Sequence, residues 1–449
     1  MKTRNISLLD RVHEHVQLPP LVVRAMDTPQ FQRLRGLKQL GASSYLYPGA
    51  VHTRFEHSIG VAHMARSFLS IIQEKQPELC ITRQNIEHAM LAGLYHDVGH
   101  GPFSHLFEDA IAPHCGGAFC HEEMSQKLAQ QALESLIGAP ELKEVLSLMA
   151  GCNRDIFPHA SVISNKRNGI DVDRLDYFLR DSLCCFGKPT VDVRAQRLFQ
   201  TARILRDPAS NEWIVAFEEK MAIAIRELFS LRAKLHKQVY QHHVTKAVGH
   251  MIADAFRLAV PHFRIGGLSL PECVASPEHF LGLGDWIFEA IEHDPNPQLL
   301  AAKQVIKRLR SRDLYKLICA CTLRTGVKLS SKEITASIAQ RLPHAADQQP
   351  ADQQLQDFIA DVVVINHGTK DKDPLQFVTF FNPKRTEPMP SFVAANSSPL
   401  FCPMSFEERT VMIFQRRPSI ESRAAVDDWT QWATSCGLIE SQLPFFNAS

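Results

Sequence analysis

The stretch Leu91 to His105, LAGLYHDVGHGPFSH, limits what this chain can fold into more than any other. It sets His96 and Asp97 side by side at the end of an apolar helical run. His100 and His105 follow across a break made by Gly99, Gly101 and Pro102. Adjacent residues on a helix point away from one another, so two side chains that are to meet at one point require the helix to stop here. An imidazole nitrogen beside a carboxylate oxygen begins a divalent-metal site, and a Gly/Pro turn leaves space for water and substrate next to it. Two ligands do not complete such a site, and the fold must bring others to them.

Two further stretches offer the missing groups. His52-Thr53-Arg54-Phe55-Glu56-His57-Ser58 opens a helix that runs to about Lys75, with His57 on the same face as Gly60, Val61, Met64 and Phe68. A single histidine on a core-facing stripe is usually filler; beside a His-Asp pair it points to a ligand. Arg54 reads as lying just before that helix, where its guanidinium fork could meet a phosphate, although an isolated Arg there would be a surface residue. Ser164 to Ser182, SNKRNGIDVDRLDYFLRDS, then puts Asp173, Tyr177 and Asp181 on one helix face at spacings of four, flanked by Arg174 and Arg180. A solvated acidic helix would give the same letters. Val172, Leu175, Phe178 and Leu179 make the surroundings apolar, however, and unpartnered carboxylates are costly there. His57, His96, Asp97 and Asp173 together supply two nitrogens and two oxygens, a set suited to Mn, Fe, Mg or Zn with positions left for water and a phosphate oxygen. A metal so held acidifies water and polarises a phosphoryl group, so phosphoester hydrolysis needs no Ser or Cys nucleophile.

Composition narrows the class. Of the 21 histidines, 11 lie between His13 and His121, which concentrates metal ligands and titratable groups in the first quarter of the chain. Lys plus Arg, 49, against Asp plus Glu, 48, leaves no overall field to draw in nucleic acid or a membrane surface. The 11 cysteines are odd in number and contain no CxxC, which argues against a disulfide scaffold and for a reducing compartment. Cys115 and Cys120, with His114 and His121, match no common zinc spacing. No apolar run approaches the ~18 residues of a membrane span and Met1 to Asp10 holds no signal-like segment, so the expected location is cytoplasmic or nuclear, with no membrane partner.

Around these motifs the pattern is mainly helical. Leu18 to Leu40 predicts a helix from Pro20 and a second from Thr28-Pro29 with Phe31, Leu34 and Leu37 inward; Gln32, Arg33, Arg35 and Lys38 would form a solvated face. Helical periodicity continues to about Arg312. Phe358 to Ile365, Leu375 to Phe381 and Val411 to Phe414 predict strands, Val426 to Cys436 a closing helix, and Pro343 to Gln356 and Pro383 to Pro403 loops. The expected fold is a mainly α protein: a helical core over residues 10–313 and a small C-terminal α/β lobe over 314–449.

The order of motifs resembles the HD-domain metal-dependent phosphohydrolases, and within them the SAM- and HD-domain-containing deoxynucleoside triphosphate triphosphohydrolases. The resemblance rests on DTPQFQRLR (27–35), KQLG (38–41), RFEHSIGV (54–61), HDVGHGPFSH (96–105), SNKRNGIDVD (164–173) and DYF (176–178), and continues through Tyr240-Gln241-His242. It implies that His57, His96, Asp97 and Asp173 bind the metal and that His100, His105 and His121 transfer protons and contact phosphate. It further implies that Arg54, Arg174, Tyr177 and Arg232 hold the triphosphate, that Gln39 and Asp181 meet the sugar 3′-hydroxyl, and that Leu40 and Tyr240 pack on the sugar and exclude a 2′-hydroxyl. The implied reaction is attack of water at the α-phosphorus, releasing deoxynucleoside and intact triphosphate. Asp27, Gln32 and Arg35 resemble an activator site for GTP or a dNTP, although the lysine and valine that complete it fall on Ile6 and Ser7. Arg174 stands where the family has lysine, and Glu108 where it has aspartate. The HD region begins near residue 10, so no SAM domain is expected before it. The lobe is expected to serve homo-oligomer contacts, with Lys384 and Arg385 able to reach a nucleotide across a subunit boundary.

Two other readings fit part of the pattern. The same metal could serve a nucleoside monophosphate, a cyclic nucleotide or a nucleic-acid end, but three arginines exceed what one phosphate needs. A single-stranded nucleic-acid binder without turnover could use the same basic cleft. The near-zero net charge speaks against it, and steep salt dependence of RNA binding would support it.

Overall fold

A computed structural model describes residues 5–188, 195–207, 209–342, 357–384, 402–417 and 420–442. The chain opens with an antiparallel hairpin, β1 (Ile6–Asp10) and β2 (Glu14–Leu18), paired from Ile6↔Leu18 to Asp10↔Glu14. Asp10 closes its turn by accepting the backbone N–H of Val12 at 2.8 Å and of His13 at 2.9 Å. This hairpin lies outside the expected elements, because its apolar residues are too few and too mixed with His and Glu to show a period of two.

Helix α1 (Pro20–Met26) begins at a proline, as expected. The segment after Thr28 is shorter than its pattern predicts: one helical turn over Pro29–Gln32 tightens into a 3-10 turn over Arg33–Gly36. Two long helices follow, α2 (Arg54–Lys75) and α3 (Arg83–Tyr95), packed against each other. Thr82 and Asn85 form a reciprocal cap that starts α3, and the helix stops at Tyr95, leaving His96 and Asp97 beyond it. Helices α4 (His121–Leu133), α5 (Ala139–Ala150) and α6 (Val172–Phe186) complete the layer around this end, and Asp171 caps α6 by accepting the N–H of Arg174 at 3.0 Å. Apolar faces of these helices and of α7 (Ala222–Leu235), α8 (His243–Ala259) and α9 (Leu300–Arg310) share one continuous core.

A second, smaller core lies under a four-stranded antiparallel sheet whose strands run in the order β9-β5-β8-β6. These are β5 (Lys316–Leu323), β6 (Phe358–Asn366), β8 (Glu407–Gln415) and β9 (Ile439–Gln442). Helix α10 (Ile420–Ser435) covers the sheet with buried Val426 and Trp429. Strands β3 (Ala202–Arg206) and β4 (Trp213–Glu218) pair antiparallel, and β7 (Thr379–Phe381) adds to β4 in parallel. The architecture is thus mainly α with small sheets, as expected. One expected strand is corrected: Leu375 belongs to a 3-10 turn over Pro374–Phe377, and only Thr379–Phe381 forms a strand. Asp373 forces the turn by accepting the N–H of Leu375 at 3.0 Å. Strands β3, β4 and β5 were not among the expected elements, since short apolar runs carry no period that separates strand from helix. The expected loop at 343–356 and most of that at 383–403, Arg385 included, fall outside the described residues; Lys384 is exposed.

The two cores are joined by charge as well as by packing. Asp254 on α8 accepts from Arg416 at 2.7 Å and from the Tyr315 hydroxyl at 2.9 Å, and Lys246 meets Asp361 on β6 at 2.7 Å. No helix among the described residues is long and apolar enough to cross a membrane.

Candidate metal centre

The end of α3 decides the site. Once the helix stops, the His96 Nε2 and Asp97 Oδ1 atoms come within 3.3 Å of each other. The first turns of two other helices supply the remaining groups. His57 on α2 places Nε2 3.0 Å from Asp173 Oδ1 and 3.7 Å from Asp97 Oδ2, and His96 Nε2 lies 3.3 Å from Asp173 Oδ1. Each imidazole has its other nitrogen committed: His96 Nδ1 donates to the Gly93 carbonyl at 2.8 Å, and His57 Nδ1 meets Asp176 Oδ2 at 2.8 Å. Such outer partners fix the tautomer and aim Nε2 at the centre. His96 Nε2 is buried and makes no hydrogen bond.

The electrostatics agree. Burial resists a charge on His57, yet its hydrogen bonds to Asp173 and Asp176 push it up to about 10. Burial likewise resists the charge on Asp97, but Arg54 and His96 hold its carboxyl well below the usual range. Two anionic oxygens therefore draw positive charge into this point, and a buried nitrogen without a partner faces them. That donor set fits a divalent cation.

Around the centre the loop after Asp97 is held from outside. Arg54, expected just before α2, is its first residue and is almost fully buried; it donates to Asp97 Oδ2 and, at 2.9 Å, to Ser104 Oγ. The expectation failed because the chain stays extended up to Thr53 and turns helical at the very next residue. Phe103 and Ser104 both adopt a φ of +61°, unusual for residues with side chains. Asp285 holds this bend by accepting the Phe103 N–H at 2.7 Å, and Ser104 Oγ donates to the Lys38 carbonyl at 2.7 Å. Arg33, expected on a solvated face, instead donates to the carbonyls of Leu283 at 2.9 Å, Val98 at 3.1 Å and His100 at 2.7 Å. Helical spacing ceases to apply once the helix tightens at this residue, which turns the guanidinium inward.

His100, His105 and His121 gather on one flank, with ligand-capable nitrogens within 4.8 Å of one another. His100 stacks on His121 at 3.9 Å between ring centres, and His105 stands edge-on to both. Burial and then Arg54 hold His100 well below the ordinary imidazole range, so it is neutral. Its Nδ1 is buried without a partner, while Nε2 is 3.4 Å from Asp97 Oδ1. Glu108 reaches His121 Nδ1 in a close hydrogen bond, so the longer carboxylate still contacts the cluster. Cys115 and Cys120 join neither of the two ligand clusters found among the described residues. A cavity of about 280 Å³, bordered by His96, Asp97, Asp173, His121 and Lys166, opens beside the centre.

On another flank lie the basic groups. Arg232 Nη1 donates to the Asn366 carbonyl at 2.6 Å, and its Nε is buried without a partner. Arg174 Nη1 donates to the Gly169 carbonyl at 3.2 Å. A side chain on Gly368 would meet both, at 3.7 Å from Arg232 Cδ and 3.8 Å from Arg174 Nη1, so the two guanidinium groups flank one loop that follows β6. Tyr177 packs edge-on to His57 at 6.3 Å. Its phenol is raised by burial, against the pull of Arg174.

At the next turn of α6, Asp181 is buried and bonded through both oxygens, to His52 Nε2 at 2.8 Å and to the Tyr240 hydroxyl at 2.6 Å. Tyr240 ends a π-helical turn over His236–Tyr240, which rotates it toward Asp181. Gln39 is buried with Oε1 unpartnered, and Leu40 is half-buried against the core. His52 lies in a motif noted in the sequence, but nothing local marked it as the partner of Asp181. Although burial opposes its charge, the bond to Asp181 and the nearby Cys184 thiol push His52 up to about 9. A raised folded value means that the proton stabilises the fold fully below about pH 6.5, the unfolded value, and that this contribution is lost as pH rises through 9. The thermal midpoint is therefore expected to fall between pH 6.5 and 9, and to fall less in His52→Gln; identical slopes in differential scanning fluorimetry would contradict this assignment.

Of the remaining predicted positions, Asp27 is exposed at the end of α1. Gln32 Nε2 donates to the Met26 carbonyl at 2.8 Å, and Arg35 Nε donates to Gln32 Oε1 at 2.8 Å while its guanidinium lies 3.6 Å over the Phe55 ring. Ile6 and Ser7 sit in β1.

The family described as HD domain matches residues 54–181, from the first residue of α2 to Asp181. The chain is 34% identical over 418 residues to the deoxynucleoside triphosphate triphosphohydrolase SAMHD1 homolog of Dictyostelium discoideum, covering 91% of this chain and 76% of that protein. It is 31% identical to SAMHD1 of Homo sapiens, over 96% of this chain and 74% of that protein, and 31% identical to that of Danio rerio, over 94% and 73%. Extended similarity of this kind, together with two histidines and two aspartates meeting where an HD turn ends, places the chain in the SAMHD1 family of HD-domain deoxynucleoside triphosphate triphosphohydrolases.

Proposed function

We propose that this protein hydrolyses deoxynucleoside triphosphates to deoxynucleoside and inorganic triphosphate at a divalent metal held by His57, His96, Asp97 and Asp173. The observation that carries the reading is the buried, unpartnered His96 Nε2 facing two carboxylates, beside a flank lined by arginines. A metal bound there would acidify water and polarise a phosphoryl oxygen.

The chain's own residues supply the rest. Arg174, Arg232 and Tyr177 hold the triphosphate. Arg54, which uses two of its five N–H donors on Asp97 and Ser104, can add a charge-assisted bond to phosphate. His100, His105 and His121 surround the position of the leaving oxygen; a neutral imidazole that receives a proton through its neighbour can return it there, and Glu108 holds His121 in one tautomer. Tyr240, fixed by Asp181, closes the sugar end with Leu40, and Gln39 Oε1 offers an acceptor for the 3′-hydroxyl. Tyr240→Ala removes this barrier, and the ratio of dGTP to GTP turnover is expected to fall by about tenfold or more, since a steric gate is worth on the order of 1–3 kcal/mol. An unchanged ratio in a folded variant would exclude Tyr240 from sugar selection.

The deciding experiment is product analysis by anion exchange and mass spectrometry after incubation with each dNTP and Mn²⁺ or Mg²⁺, with and without GTP. Deoxynucleoside plus triphosphate is the expected outcome; monophosphate plus pyrophosphate would mean that the bond broken lies between the α- and β-phosphates and not at the 5′-oxygen, and would overturn the triphosphohydrolase reading. Faster turnover with GTP would support an activator site at Asp27, Gln32 and Arg35, and equal rates would remove it. The homo-oligomer expected of the C-terminal lobe is read from sedimentation of the same samples.

A further inference from the structure

The N-terminal hairpin reaches the back of the metal centre. Its turn delivers His13, whose Nε2 lies 2.6 Å from Asp176 Oδ1, while Asp176 Oδ2 meets His57 Nδ1 at 2.8 Å. Asp176 is fully buried and is held in one orientation by Arg180, which donates Nε to Oδ2 at 2.8 Å and Nη2 to Oδ1 at 3.0 Å. The same guanidinium bonds Asp10 at 3.0 and 3.3 Å, and Asp10 shapes the hairpin turn. Space for this cluster exists because residue 60 is glycine: a Cβ there would lie 2.0 Å from Asp176 Oδ1 and 2.4 Å from Arg180 Nη2.

A histidine ligand takes its ring direction from the bond made by its outer nitrogen. For His57 that bond goes to Asp176, so whatever fixes Asp176 fixes the ligand. Arg180 lies on the same helix as Asp176 and moves with it. His13 comes from a different element and registers that helix against the hairpin. We infer that His13 is a positioning residue for His57, acting through Asp176, and that the β1–β2 hairpin is therefore a structural part of the metal centre. The inference rests on the reading above that His57 binds the metal.

The test uses the full chain loaded with Co²⁺, whose visible absorption reports ligand geometry, and a competing chromophoric chelator to measure affinity. His13→Ala is expected to weaken Co²⁺ binding by about 10–100-fold, the usual effect of removing an outer partner, and to shift the absorption band. Under saturating metal, kcat should fall while KM for dNTP stays near wild type. His13→Gln, which keeps an N–H donor toward Asp176, should recover most of the affinity. Wild-type affinity and spectrum in a His13→Ala protein of unchanged circular dichroism would overturn the inference. Should that variant fail to fold, His13→Phe keeps a ring without a donor, and equal affinities of His13→Phe and His13→Gln would overturn it equally. His57→Ala separates the two levels: if that variant binds Co²⁺ as wild type does, it is the metal site itself that is misplaced.

Discussion

His96→Ala and Asp173→Ala are each expected to lose bound metal and to lower dNTP turnover on the order of 10³-fold or more, as happens when one member of a catalytic set that acts as a unit is removed. Folding should survive. His96 Nε2 contributes no hydrogen bond to the protein, and the Gly93 carbonyl left behind costs only about 1 kcal/mol. Asp173 is 30% exposed at its side chain and packs at the mouth rather than in the core. Metal content by mass spectrometry, circular dichroism and the product assay together check this result. A double variant that keeps both metal and activity would overturn the assignment of the site.

The second large effect concerns stability. Arg180 is fully buried and lies between two carboxylates, Asp10 and Asp176. Arg180→Met removes the cation and leaves both carboxylates without it, and breaking a buried pair in this way costs about 3–5 kcal/mol. The loss should be read as a lower urea midpoint at pH 7.5. Asp176 is fully buried, which raises its pKa, but Arg180, His13 and His57 hold it well below the usual carboxylate range. Its contribution to stability is therefore full above the unfolded value and is lost only as pH falls below about 4. The gap between wild type and Arg180→Met is expected to persist from pH 8 to pH 5 and to narrow below 4. A gap that closes already at pH 6 would point to a histidine and not to these carboxylates.

Much of the site could be read locally. The stop after Tyr95, the His57 stripe and the Asp173, Tyr177 and Asp181 face all follow from spacing, and each is realised within a few residues of where spacing puts it. What could not be read was the burial of polar groups. Arg33 belongs to a polar face by its spacing, yet it donates to carbonyls at positions 98, 100 and 283, and Asp285, in no motif, accepts from residues 38 and 103. His13 and Asp176 are 163 residues apart. A polar side chain tolerates burial only when its partners are present, and those partners come from elements that no local window contains.

The sequence by itself determined the helical periodicity of the core, the point at which α3 ends and the chemical kinds of the four side chains, two imidazoles and two carboxylates, that meet there. These follow from residue type and from spacing within one helix, where backbone geometry is regular. Only the tertiary structure decided that the first turns of α2 and α6 meet that end. It also decided that Arg54 lies against Asp97, that Asp181 is shared by His52 and Tyr240, and that the hairpin stands behind His57. The reason is physical: a ligand's direction depends on the hydrogen bond behind it, and that bond forms between elements brought together by the burial of a common core.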